Sequence, residues 1–332
     1  MAVRELFIKR ATPAIAVAVL ILAPFASTLA QQAVPGSGQA LEISPTIVTM
    51  DVDPGESTTM NLQLRNVSGE ELVVSGDIND FVASDEGGAP RVIMDEEDAA
   101  DNPYSLRDWV EPLPETLLEP GNIETLTANI TVPENASPGG HYGIIRYSGS
   151  PPELEGTGVS LAASVGTLVL LTVSGDIETS VELEEFFIAK DGEAGNFFES
   201  TPLTLVQRIR NSGNVHVQTT GQVTIRDMFD RELASANVNL ARNNILPDSI
   251  RRFEQNVDSS LIGNKRLFGR YSAELNLVYG DEQTLTDTIT FWVIPYRLIG
   301  LIILLLALGY LGLHYSLKRY RKRILSQARR RY

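Results

Sequence analysis

The side chains that most often do chemistry in proteins are scarce in this chain of 332 residues. There is no cysteine, and the three histidines, His141, His216 and His314, lie far apart in sequence. A thiolate nucleophile is therefore excluded, and a histidine-based zinc site is not expected. The sequence also lacks H-E-x-x-H, G-x-S-x-G, a Walker loop and a G-x-G-x-x-G after a strand. It predicts no catalytic residue, no metal, no bound cofactor, and a protein that is not an enzyme.

Three aromatic residues are the candidates for binding a partner. His141 and Tyr142 stand in the glycine-rich stretch SPGGHYG (137–143), which lies between two strand-like runs and opens no helix. A hairpin corner fits this stretch better than a phosphate cradle, because the helix N-terminus that binds phosphate is missing. Trp109 stands in SLRDWV (105–110), which predicts one helical turn folded onto the domain. The alternative is that all three side chains are structural.

An acidic run, DEEDAAD (95–101), raises the alternative of a calcium site. The run lacks the spaced D-x-[DN]-x-[DN]-G ligand pattern, so a solvated acidic loop is the default interpretation. The run lies within 84–118, a long acidic segment with several prolines, among them Pro103, Pro112 and Pro114, that we expect to be a loop.

Both ends of the chain carry membrane-related signals. Residues 1–30 resemble a signal peptide, with a basic start and a short apolar stretch. Thr28 and Ala30 are the small residues expected before a cleavage site, which would follow Ala30. An uncleaved anchor is the alternative, and residues 31–39 form a linker. The apolar run 298–317 is long enough to cross a membrane, and the basic tail 318–332 has no acid. The positive-inside rule then predicts a single-pass type I protein in the cell membrane, with a cytoplasmic tail.

The segments between these ends alternate between apolar and polar residues, with turn residues after every short run. This period of two predicts strands, and no helical stripe is sustained. The fold class is therefore all-β, with two tandem Ig-like antiparallel β-sandwiches over 40–175 and 176–295, followed by one C-terminal transmembrane helix. LQLRNVSGEELVV (62–74) is echoed by VQRIRNSGNVHVQ (206–218), which we interpret as the same strand-turn-strand, with Asn and Gly where positive φ is required.

Two longer stretches resemble the WxL-interacting proteins, whose first domain was called DUF916. They are DVDPGESTTMNLQLRNVSGEELVV (51–74) and LEPGNIETLTANITVPENASPGGHYGIIRY (118–147). The resemblance implies a bacterial cell-surface protein with two Ig-like domains, the first associated with peptidoglycan and the second with protein partners. The chain departs from that family in its acidity and in the insertion 84–118.

The acidic balance, with a net charge of −15, argues against nucleic acid as a partner. The sequence favours a membrane-anchored surface protein that binds cell-wall polymer or another surface protein through its sandwiches. One alternative is a non-catalytic, chaperone-like accessory subunit of a membrane export or envelope complex. A carboxylate-dependent hydrolase is a further alternative.

Overall fold

The chain folds into two tandem Ig-like β-sandwiches followed by one long helix, in a computed structural model that describes residues 41–94, 102–150, 163–263 and 267–328. The predicted fold class is confirmed. The predicted signal peptide 1–30, the linker 31–39 and the acidic run 95–101 lie outside the described residues.

The described residues of the first sandwich form ten strands. They are β1 (Leu41–Ser44), β2 (Ile47–Val52), β3 (Ser57–Asn66), β4 (Leu72–Asn79), β5 (Phe81–Ala83), β6 (Pro90–Val92), β7 (Thr116–Leu118), β8 (Ile123–Thr131), β9 (Gly139–Ser150) and β10 (Ala163–Val173). One layer has the order β1-β3-β8 and the other β2-β10-β9-β4-β7, while β5 and β6 form a separate hairpin.

The run 41–52, which alternates like a single strand, is divided between the two layers. β1 pairs antiparallel with β3, whereas β2 pairs parallel with β10. The change occurs at Pro45, which has no N–H to donate to a ladder. A proline inside an alternating run therefore marks the point where the strand leaves one layer for the other.

In the second sandwich, the part of the chain that the structure describes forms eleven strands. They are β11 (Val181–Lys190), β12 (Glu193–Ala194), β13 (Phe197–Phe198), β14 (Leu203–Asn211), β15 (Val217–Gln218), β16 (Thr220–Asp227), β17 (Glu232–Val238), β18 (Asn244–Ile245), β19 (Ile250–Val257), β20 (Gly269–Tyr279) and β21 (Gln283–Val293). The layers have the orders β12-β11-β14-β19 and β13-β21-β20-β16-β17, and β15 pairs with β18. A short helix α1 (Ser259–Ile262) follows β19.

The sequence echo corresponds to one buried hydrogen-bond network that occurs in both sandwiches. Asn66 and Asn211 end β3 and β14 and are fully buried. The Asn66 amide donates to the carbonyls of Glu70 (2.7 Å) and Leu118 (2.9 Å), and the Asn211 amide donates to those of Val215 (2.8 Å) and Ile245 (2.9 Å). Each asparagine thus joins its own turn to a distant segment.

The prediction that the echoed turns require a positive φ is wrong. Neither Gly69 nor Gly213 has a positive φ. Gly213 is needed for another reason, since a Cβ there would lie 2.9 Å from the backbone nitrogen of Ser180. Gly69 faces open space. The repeated element is therefore the buried asparagine, whose amide donates to two backbone carbonyls in each sandwich.

The segment 84–118 contains regular structure where we expected a loop. Among its described residues, β6 completes a hairpin with β5, and β7 pairs with β4. Arg107–Trp109 form one turn of 3₁₀ helix, and half-buried Trp109 packs against the core of the first sandwich. The single helical turn predicted for SLRDWV is confirmed.

Helix α2 (Tyr296–Ala328) follows the last strand after only two residues. Its portion Tyr296–Arg321 is long and apolar enough to cross a membrane, and none of that portion is buried against the sandwiches. An apolar helix that no described part of the protein covers needs another apolar environment.

Candidate functional site

The candidate site is a cleft between the two sandwiches, on the outer face of the five-stranded layer. Successive residues of a strand point to opposite faces. In β9, Ile145 and Tyr147 therefore enter the core of the first sandwich, while Tyr142 and Ile144 face outward. There they form a second apolar cluster, which Leu246 of the second sandwich contacts.

The cleft has a volume of about 560 Å³. The first sandwich contributes the β5–β6 hairpin, residues 102–104 and Tyr142, and the second contributes residues 246–249. The lining is mostly apolar, with Arg91 and Asp248 as its charged groups. A cleft of this size and character could hold a few side chains of a peptide or one small molecule.

A hydrogen bond between Tyr104 and Asp248 crosses the cleft. The Tyr104 hydroxyl donates to Oδ2 of Asp248 over 2.8 Å. Burial, and then the bond to the carboxylate, raise the pKa of Tyr104 to about 12. The phenol therefore stays protonated and able to donate throughout the physiological range.

Tyr142, which lines the cleft, contacts His216. The Tyr142 hydroxyl lies 3.5 Å from Nδ1 of His216, and the rings form an edge contact with centroids 5.8 Å apart. Burial raises the pKa of Tyr142 above its ordinary value and lowers the pKa of His216, although Asp51 opposes the latter shift. Both groups are therefore neutral near pH 7, as suits a desolvated contact.

The structure brings together two of the three predicted site residues. The rings of Trp109 and His141 are 4.3 Å apart, and His141 is buried with its ring nitrogens 3.2 Å and 2.9 Å from the carbonyls of Ser105 and Ser137. Tyr142 follows His141 in β9 and therefore points to the opposite face. The cleft contains Tyr142 alone of the three.

An ion pair that the sequence analysis missed fastens the sandwiches beside the cleft. Glu86, in the β5–β6 turn, accepts hydrogen bonds from Nε (2.8 Å) and Nη2 (2.5 Å) of Arg208 in β14. The Glu86 carbonyl also accepts from the N–H of Arg252 (2.7 Å). The run FVASDEGGAPRV (81–92) has the alternation and the turn residues of a hairpin. That signal could have predicted the hairpin that carries Glu86.

Asn214 forms a second fastening, at the chain connection between the sandwiches. Its amide donates to the carbonyl of Asp176 (2.9 Å), and its Oδ1 accepts from the N–H of Glu178 (2.8 Å). Its own carbonyl accepts from the N–H of Gly140 at the start of β9 (2.7 Å). The two sandwiches are thus bonded on either side of the cleft, which holds its walls in a defined position.

Strand β10 has an open edge, meaning a stretch that no described strand pairs on one side, at the end away from the cleft. Ser164 and Gly166 lie there, opposite Ser148 and Arg146, whereas the cleft residue Tyr142 pairs with Leu170. β9 pairs with all of Ala163–Val173, whereas β2 pairs only with Leu168–Val173. The Leu168 N–H points toward β2, where it donates to Thr46 (2.9 Å). By alternation, the backbone groups of Ser164 and Gly166 point to the same side, and no described strand pairs with them there.

The described residues contain no group of three or more His, Cys, Asp or Glu side chains that could hold a metal ion. The calcium alternative concerned 95–101, which lies outside those residues. The chemistry of the cleft is therefore that of hydrogen bonds, apolar contact and one charge of each sign.

Comparisons with known proteins give remote structural likenesses. No family model matches the chain, and no curated protein matches it. The chain is similar to the YadV chaperone (11% identity, TM-score 0.37), with 76% of this chain and 100% of that chain covered. It is similar to the class 5 fimbriae chaperone CfaA (12%, 0.38, covering 75% and 98%). It is also similar to the E. coli chaperone DraB (15%, 0.34, covering 77% and 98%).

Proposed function

We propose that this chain is a membrane-anchored, non-catalytic protein whose sandwiches bind an extended segment of a partner polypeptide. The segment pairs with the open edge of β10. The single observation that carries this function is the incomplete pairing of β10, which has a partner strand on one side along its whole length and on the other side only from Leu168 onward.

An unpaired strand edge binds extended peptides through backbone hydrogen bonds. Ser164 and Gly166 present one N–H and one C=O each on the open side, so a segment of about four residues would complete the ladder. Affinity from such bonds depends little on the sequence of the segment. Selection among partners then requires side-chain contacts next to the edge.

The outer face of the five-stranded layer offers those contacts. Leu168 and Leu170 of β10 belong to the same apolar cluster as Phe81 and Tyr142, two residues that line the cleft. A Cβ at Gly166 would lie 2.9 Å from Cδ1 of Ile144, so that side chain covers the position of Gly166. Apolar side chains of an added segment would therefore lie against Ile144 and Leu168 and continue toward the cleft.

Helix α2 would anchor the protein in the membrane. Lys318, Arg319 and Arg321, within the helix, begin a run of basic residues, and 318–332 contains no acid. With this tail in the cytoplasm, the sandwiches face the extracytoplasmic side. We therefore propose a single-pass type I arrangement in the cell membrane, in which the cleft meets exported proteins.

The resemblance to the WxL-interacting proteins stays a prediction, and so does peptidoglycan as a partner of the first sandwich. The sequence predicts either a wall-binding scaffold or a chaperone-like accessory subunit. The open edge and the cleft favour the chaperone-like accessory subunit. A strand edge selects polypeptide, since its donors and acceptors are spaced to match another backbone.

A photo-crosslinking amino acid at Ser164 tests the function in cells that produce the full chain. Gln63 is the matched control position, because it is exposed on β3, a strand with partners on both sides. We expect partner proteins to be captured from position 164 and not from position 63. Equal capture from the two positions would contradict strand addition at β10.

A pair of substitutions at Ser164 then tests the backbone contribution to binding of the captured partner. Ser164→Pro removes an N–H that points away from β9, so the ladder of the first sandwich stays intact. Ser164→Ala removes the hydroxyl and keeps the N–H. Binding that is weakened by proline and unchanged by alanine supports backbone pairing, whereas equal binding by the two variants would contradict it.

A further inference from the structure

One end of the second sandwich carries five large apolar side chains that are exposed to solvent. The five, here called the apolar rim, are Phe197 (73% exposed), Phe229 (70%), Phe268 (61%), Met228 (51%) and Trp292 (37%). Single exposed apolar residues are common on soluble proteins, but a group of this size at one end of a domain marks an interaction surface.

The strand register places the rim residues together. Phe197 pairs with Trp292 across β13 and β21, and their rings stack with centroids 6.4 Å apart. Phe268 directly precedes Gly269, which pairs with Val293. Met228 and Phe229 follow Asp227, which pairs with Tyr271 near the start of β20. All five therefore lie at the end of the sheet where β21 finishes.

The core of the sandwich does not account for this exposure. Phe198, Tyr271, Phe291 and Val293 are buried beneath the rim and complete the core there. The Tyr271 hydroxyl accepts a hydrogen bond from the backbone N–H of Phe268 (3.0 Å). That bond fixes the chain at Phe268, whose own side chain remains outside the core.

Helix α2 leaves the sandwich from this same end. Only Ile294 and Pro295 separate β21 from Tyr296, the first residue of the helix. The Ile294 N–H donates to the carbonyl of Phe198 (2.8 Å), and Arg297 pairs with Glu199 at 3.2 Å. Trp292 therefore stands at most about 13 Å along the chain from the start of the apolar helix.

We propose that the apolar rim docks into the interfacial layer of the bilayer that α2 crosses, so that the second sandwich stands on the membrane by its rim end. This inference rests on the membrane anchoring proposed above. The headgroup layer on each side of the hydrocarbon core is about 5–8 Å thick. Phenylalanine and tryptophan enter this layer favourably, and amphipathic surfaces sink about 5–10 Å into it.

The lipid surface is favoured as the occupant because the covalent link to α2 holds the rim close to it. Three carboxylates next to the rim each have an arginine partner: Asp227 pairs with Arg231, Glu199 with Arg297, and the exposed Asp230 with Arg226 at 3.9 Å. Arg231 also lies over the ring of Phe229 at 5.1 Å. A cation beside an aromatic ring suits the phosphate level of a bilayer.

Spin labels on the full chain, at one copy per phosphatidylcholine nanodisc, test the docking. The chain has no cysteine, so one introduced cysteine labels one site. Arg270→Cys places the label at rim level, opposite Trp292. Val278→Cys places it on the same face of β20, eight residues and about 26 Å farther from the rim. We expect the label at 270 to be shielded from a water-soluble relaxation agent and the label at 278 to be fully accessible.

A rim variant links the shielding to the rim side chains. Phe229→Ser with Phe268→Ser, in the Arg270→Cys chain, should increase the accessibility of the label. Leu240→Ser is the matched control, because Leu240 is 80% exposed at the opposite end of the sandwich. It should leave the label shielded.

A third label site separates failure of docking from failure of anchoring. Leu305→Cys places the label in the middle of the apolar helix. If this label is deep in lipid while that at 270 is as accessible as that at 278, the rim proposal is overturned and anchoring stands. If the label at 305 is also exposed to water, both proposals are overturned. Unchanged shielding at 270 in the double serine variant likewise overturns the rim as its cause.

Discussion

Glu86 of the first sandwich and Arg208 of the second are joined by two parallel hydrogen bonds, of 2.8 Å and 2.5 Å. A bidentate pair restricts both the distance and the rotation between the elements that carry it. The bond to Arg208 lowers the pKa of Glu86, so the carboxylate is ionised at neutral pH. Together with the fastening at Asn214, this pair holds the two walls of the cleft in one relative position.

Glu86→Gln should loosen the two sandwiches without unfolding either. Spin labels at Gln63 and Asn237, one on each sandwich, should show a broader distance distribution in the variant. Because the bond to Arg208 lowers the pKa of Glu86, acid should have the same effect on the wild type only at pH well below the ordinary carboxyl value of about 4.5, where folded Glu86 takes up its proton.

Glu185→Gln is the matched control for that experiment. Glu185 binds the same guanidinium at 2.9 Å, but it lies on β11, within the second sandwich. Its loss should leave the distance distribution narrow. If both glutamine variants broadened it equally, the Glu86 pair would not be what fixes the sandwiches.

His216→Gln should remove an acid sensitivity from the contact with Tyr142. Burial lowers the pKa of His216, so the unfolded chain binds its proton first as pH falls below about 6.5. Stability is therefore complete above that pH and is lost as pH decreases, by at most about 1.4 kcal/mol per pH unit. Melting temperatures of the full chain in detergent, between pH 5 and 8, should decline less in the variant.

His314→Gln is the control for the acid sensitivity, since it removes a histidine of helix α2 and leaves the cleft unchanged. It should decline with pH as the wild type does. A wild-type melting temperature that is flat across this range would contradict a desolvated His216.

Tyr104→Phe should lower the free energy of unfolding by about 1 kcal/mol, the usual contribution of one hydrogen bond. A double-mutant cycle with Asp248→Asn isolates the pair from the packing of the ring. Because the pKa of Tyr104 is raised to about 12, the bond should be complete below about pH 10 and be lost as pH rises toward 12. A coupling energy of zero would show that the two groups do not cooperate.

Local pattern was sufficient to predict most of the long strands, but not β6 and β7 within 84–118 or the division of 41–52 between two layers. The cleft depends on contacts far apart in sequence. The alternation around Ile145 and Tyr147 identifies β9 and gives its two faces. It cannot show that the face of Tyr142 meets His216, because that contact requires the packing of one sandwich on the other. Glu86 illustrates the same limit, since an acidic turn is solvated unless a distant arginine reaches it. The asparagine echo was visible in the sequence, but its burial was not.

Asn66→Ala and Asn211→Ala should each lower the free energy of unfolding by about 2–4 kcal/mol, because each removes the two hydrogen bonds that a fully buried amide donates to backbone carbonyls. Asn211→Asp should be at least as harmful, since it keeps the acceptor for the Gly213 N–H (3.0 Å) but turns an oxygen toward the carbonyls of Val215 and Ile245. Asn61→Ala is the control, because Asn61 is exposed on β3 and should cost less than about 0.5 kcal/mol. Chemical denaturation of the full chain in detergent measures all four variants. If loss of the buried asparagines cost no more than loss of Asn61, the repeated network would not be what stabilises the two turns.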